Sequence, residues 1–172
     1  SVAVRETYNL AATSVTSAGA LALEAANTLS AGTISSAGTA SLTSTQGSVV
    51  GIDGTNAVTG ASVSLTARSG TGNGLGTVGT RLNVDAPQLT INTPGSFYVT
   101  DSADLTHLTI DRTNTAGASS AGTQSVLASN LTYTASDVGP TSTLTSVADT
   151  TGLNFGFTGM GSVALGTLNV GN

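Results

Sequence analysis

The chain has 172 residues, a mass of 16.6 kDa and a formal net charge of -5. Only 8% of the residues are charged, four Arg and one His are the only basic side chains, there is no Cys, Trp or Lys, and 53 residues are Ser or Thr and 22 Gly. Four cations cannot line a groove that neutralises nucleic-acid phosphates, and the lack of Cys with a single His excludes thiol catalysis, a disulfide framework and structural zinc.

Few charges with much Ser, Thr and Gly can also mark disorder. Against that, mean hydropathy is positive (+0.23) and 38% of the residues are hydrophobic. These apolar residues fall in alternating doublets such as Leu21-Ala22-Leu23, Val63-Ser64-Leu65, Leu82-Asn83-Val84, Leu89-Thr90-Ile91 and Leu168-Asn169-Val170. Period-2 alternation puts one side of a strand inward and the other outward. No run of about 18 apolar residues predicts a membrane helix, so membrane insertion is not expected. No basic segment leads into an apolar one as in a signal peptide. The chain starts at Ser1 and stops just after a strand-like doublet. We read it as a mature or excised piece, or the ordered part, of something longer.

Along the chain, residues 18–27 hold the one helix-like run, but Leu21 and Leu23 are two apart, so they predict a strand. Three segments then align. They are Ser17-Ala18-Gly19-Ala20-Leu21-Ala22-Leu23, Ser36-Ala37-Gly38-Thr39-Ala40-Ser41-Leu42 and Val58-Thr59-Gly60-Ala61-Ser62-Val63-Ser64-Leu65. Each is a small-residue Gly corner followed by an alternating strand ending in Leu. The marker residues Leu23, Leu42 and Leu65 give a period near 20. Echoes follow at 82–84, 89–91, 97–99, 105–110, 131–133, 144–147, 153–157 and 163–170. Residues 68–80 read as a Gly-rich corner or loop, 111–124 as a second loop and 136–141, with Gly139-Pro140, as a turn.

A period near 20 with two or three short strands predicts an all-β chain folded as a single-stranded parallel β-helix, a β-solenoid. Roughly eight coils rising about 4.8 Å each make one domain about 40 Å long over residues 1–172. Corners need Gly, Asn or other small residues. Stacked outward rows tolerate Ser and Thr, because like charges at that spacing repel. The alternative fold is a β-sandwich.

Ala18-Gly19-Ala20-Leu21-Ala22-Leu23-Glu24-Ala25, residues 36–44, residues 60–72 and the phrase from Leu82 to Asp101 resemble repeats of filamentous haemagglutinin-like exoproteins. The resemblance covers about two thirds of the chain, mainly the first 110 residues. It implies a right-handed parallel β-helix, export by two-partner secretion to the bacterial cell surface, and a shaft or adhesive role. Right-handedness also accords with the general chirality of parallel crossovers. The family's N-terminal secretion domain is not recognisable in this sequence.

Candidate sites are few. Asp101, Asp104, His107 and Asp111 form the densest polar cluster, the pattern for a metal site or a glycoside-cleaving carboxylate pair. Their parity does not place all four on one face of one strand, and they read as solvated turn residues around a strand. Arg68 and Arg81 bracket Gly70-Thr71-Gly72-Asn73-Gly74, but a phosphate cradle also needs a following helix, and its P-loop form a Lys. Asp53-Gly54-Thr55-Asn56 reads as a turn, not a calcium loop. Thr43-Ser44-Thr45 and 141–145 lack the coil-by-coil repetition of an ice-binding face. Tyr8, Tyr98 and Tyr133 could stack on sugars, but read as core or corner fillers.

The expectation is therefore a non-enzymatic, secreted or surface-located segment with no catalytic residue, cofactor or metal. Its partners would be host, neighbouring-cell or matrix glycans, or further copies stacked end to end as a fibre, and not nucleic acid. A carbohydrate-active β-helix enzyme is the minor alternative.

Overall fold

In the computed structural model the described residues are 1–67, 74–77, 79–93, 96–103 and 105–111, and the strands at 124–127, 131–135, 142–145, 153–157 and 165–169. All named elements are β-strands. They run β1 (Val2–Glu6), β2 (Leu10–Ser17), β3 (Leu21–Ala25), β4 (Leu29–Ser36), β5 (Thr39–Ser44), β6 (Val49–Gly51), β7 (Ala57–Thr59), β8 (Ser62–Ala67) and β9 (Leu82–Asp85). Then come β10 (Gln88–Asn92), β11 (Phe97–Asp101), β12 (Leu105–Asp111), β13 (Gln124–Leu127), β14 (Leu131–Ala135), β15 (Ser142–Thr145), β16 (Leu153–Phe157) and β17 (Leu165–Asn169).

One sheet has the order β1-β3-β5-β8-β10-β12-β14-β16. The other runs β2-β4-β7-β9-β11-β13, with β6 also on β4, and β15 pairs with β17. The chain therefore alternates between two faces, and each strand meets its counterpart one coil later. All pairings described are parallel. That is a β-solenoid and not an antiparallel sandwich. The first sheet holds eight strands, roughly in line with the coil number read from the repeats.

Register shows why the sequence takes this form. Leu23 pairs with Leu42, Leu42 with Leu65, and Leu65 with Ile91, which pairs with Ile110. The marker leucines thus form one column. Beside it run Leu21, Ala40, Val63, Leu89 and Leu108. On the other face Leu29 pairs with Val49, and Leu75 bridges Val49 to Phe97. Apart from Ile110, whose side chain lies outside the described residues, all of these are buried and join one core cluster. Each large one adds about 1.5–3 kcal/mol of burial free energy. Outward positions between them are small and uncharged, as in the column Ala22, Ser41, Ser64, Thr90 and Thr109.

The corners are built by buried hydroxyls. Ser17 and Ser36 are register partners, each next to an aligned Gly corner. Ser36 Oγ donates to the Gly19 carbonyl at 2.7 Å and accepts from Gly38 N at 3.2 Å. Ser44 Oγ donates to the Asn27 carbonyl and accepts from Gly47 N at 2.8 Å. A Ser can therefore sit inward at a corner, because it satisfies turn groups that would otherwise be orphaned.

Residues 74–76, inside the segment 68–80 expected to be a loop, take part in the coil-to-coil pairing. Within this segment Leu75 is fully buried. Val49 N donates to Gly74 O at 3.0 Å, Gly76 N to Val49 O at 2.8 Å, Leu75 N to Ser96 O at 3.0 Å and Tyr98 N to Leu75 O at 2.8 Å. Residues 74–76 thus form one strand-like step between two coils. Gly76 ends it with φ +65°, and a Cβ there would lie 2.6 Å from the Tyr98 carbonyl oxygen. Both facts require glycine. Residues 68–73 and 78, with Arg68 and most of the Gly-rich phrase, lie outside the described residues.

Candidate functional site

The most connected polar region joins the loop after β6 to the next two coils. Asp53 Oδ1 accepts from Thr55 N at 2.9 Å and from Thr55 Oγ1 at 2.7 Å. These bonds hold the Asp53 carboxyl below its ordinary value. They make the turn expected at 53–56. What the sequence did not reveal is Asn56, only 2% exposed. Its Nδ2 donates to Asp53 O and, at 3.1 Å, to Arg81 O, while its Oδ1 accepts from Asn83 N at 2.9 Å. Asn83 Nδ2 returns a bond to Gly54 O at 3.1 Å.

Arg81 carries the connection one coil further. Its Nε donates to Thr100 Oγ1 at 2.9 Å and its Nη2 to Val99 O at 2.6 Å. Partial burial draws the guanidinium below its usual pKa, and the nearby Tyr98 phenol opposes this. Asn56, Asn83 and Arg81 each bond to backbone or side-chain groups of a neighbouring coil, whereas Asp53 bonds within its own turn. Its chemistry is that of a splint between coils.

Asp101 and His107 of the predicted cluster lie on different sheets. Asp101 ends β11 on one face and is only 3% exposed, not a solvated turn residue as its sequence context implied. His107 lies on β12 of the other face, exposed, in register with Gln88. Asp111 stands four residues further along β12, in register with Asn92. Asp104 lies outside the described residues. Among the described residues no group of three or more His, Cys, Asp or Glu could hold a metal ion.

Asp101 occupies an unusual place. Ile34 pairs with Val58, Val58 with Val84 and Val84 with Asp101, so a carboxylate continues an apolar column. Its Oδ1 accepts from Ala103 N at 2.9 Å and Ala86 N at 3.4 Å. Its Oδ2 is buried with no hydrogen-bond partner. Burial pushes the pKa up to about 6, the two amide bonds oppose this, and the Asp85 charge adds to it. No sequence pattern flagged this, because Asp is an ordinary turn residue and its inward parity shows only in the register.

The aromatic and Thr candidates separate. Tyr8 is 72% exposed at a corner and fills no core, while Tyr98 is half-buried between the inward residues Phe97 and Val99. The side chains of Tyr133 and of 141–145 lie outside the described residues. Ser44 in Thr43-Ser44-Thr45 points inward and is fully buried, so the three make no flat outward row. Arg5 and Glu24, register partners on the outer face, form an ion pair at 2.9 Å. Being exposed, it contributes about 0–1 kcal/mol.

The fold and its coil-to-coil splints define the chain as a parallel β-solenoid. No family model matches it, and neither does any curated protein or solved structure. No helix among the described residues is long and apolar enough to cross a membrane.

Proposed function

We propose that the chain is a shaft segment of a surface-exposed bacterial exoprotein of the filamentous haemagglutinin-like kind, acting through shape and surface and not through catalysis. The observation that carries this reading is the continuous inward column Leu23, Leu42, Leu65 and Ile91 beneath small uncharged outward positions. Such stacking makes each coil the template for the next and yields a stiff, elongated body. An uncharged Ser/Thr surface suits contact with hydroxyl-rich partners, so host or matrix glycans are the proposed ligands. Export to the cell surface belongs to the same reading, and rests on the repeats' resemblance to that family.

Electron microscopy of the purified chain tests the shape. Short rods are expected, and compact near-spherical particles would overturn the proposal. Localisation in the source cells and a glycan-array screen test the surface and adhesive parts separately.

A further inference from the structure

We propose that Asp101 is a proton-operated clamp between the fourth and fifth coils: neutral, it seals the inner column, and ionised, it loosens the junction. The geometry carries this. A carboxyl 3% exposed takes the place held by Ile34, Val58 and Val84 in the preceding coils. One oxygen is fixed by two amides, Ala103 N on its own coil and Ala86 N after β9 on the coil before. The other is buried with no partner. A proton there removes the charge, whereas an ionised oxygen must draw water or a cation into the core.

No described group offers compensation. β9 brings Asp85, which repels the ionised form, and β7 and β13 carry no titratable residue. Tyr98 on the same strand lies on the outer side with Arg81, whose guanidinium donates to Val99 O and Thr100 Oγ1. His107 and Asp111 belong to β12 on the other sheet, and His107 is exposed.

The sign follows from the direction of the shift. A carboxyl at about 6 when folded, against an ordinary 3.8, binds more protons folded than unfolded between those values. Its contribution is complete in acid below the unfolded value and is lost as pH rises through about 6. The difference corresponds to a folding equilibrium constant about 100-fold lower at neutral pH than in acid.

The test compares the full chain with Asp101→Asn, which keeps the shape and the Oδ1 acceptor but does not titrate. Guanidinium unfolding of both from about pH 4 to about pH 7.5 gives the ratio of their folding constants, so other carboxylates cancel. The ratio of variant to parent is expected to rise about 60-fold across that range, since pH 4 already lies slightly above the unfolded value. A ratio constant within about twofold would overturn the proposal. Should the variant not fold, carbon NMR of the Asp101 carboxyl in the unaltered chain decides. A midpoint near 6 supports the clamp, and one near 3.8 overturns it.

Discussion

Asn56 and Gly51 act as a pair. A Cβ on Gly51 would lie 2.1 Å from Asn56 Nδ2, so the absence of a side chain at 51 leaves the space in which Asn56 is buried. Asn56→Ala leaves Asn83 N and Arg81 O without their partner, and should cost about 1–3 kcal/mol in denaturant unfolding. Gly51→Ala should also destabilise, since a buried polar side chain must be displaced. In the double variant the second substitution should cost less than it does alone. Additive losses in that cycle would show that the two sites do not share this space. Asp53 and Asp101 show how environment separates two residues of one type. Local hydrogen bonds stabilise the charge on exposed Asp53, and desolvation penalises it on Asp101.

At the scale of the element, the two sides of a strand should respond differently. Leu42 in β5 is fully buried between Leu23 and Leu65, whereas its neighbour Ser41 faces outward. Leu42→Ala should cost about 2–5 kcal/mol, and Ser41→Ala should stay within about 0.5 kcal/mol. Leu75→Ala is the sharper experiment, because Leu75 belongs to a three-residue step in a Gly-rich stretch. A loss of about 2–5 kcal/mol is expected for a core residue, and a near-neutral effect is the outcome for a loop residue. The step was not legible in the sequence, since one Leu among glycines shows no alternation. Only its hydrogen bonds to Val49, Ser96 and Tyr98 identify it.

At the scale of the molecule, stability should vary along the stack. A coil in a solenoid gains from a neighbour on each side, and a terminal coil from one. Amide exchange should therefore be slower in β5 and β8, which have parallel partners on both sides, than in β1, paired with β3 alone. Equal protection in β1 and β5 would mean that the solenoid opens as a single unit. The polar splint from Asn56 lies where β6 and β7 divide the pairing with β4, and Arg81 carries it on to β11.

The sequence by itself determined the class of fold. A core column only one residue wide requires the same kind of side chain at each turn, so Leu23, Leu42 and Leu65 had to recur at nearly constant spacing and could be read without coordinates. It also determined an uncharged outer row, Ala22, Ser41, Ser64, Thr90 and Thr109, because like charges at positions stacked so closely would repel. Tertiary structure alone decided what sits inside where that spacing breaks. Leu75, Asn56 and Asp101 are ordinary loop or turn residues by type, and each becomes buried only through its register with a coil distant in sequence. Burial depends on what lies on the other side of a residue, and local sequence does not carry that information.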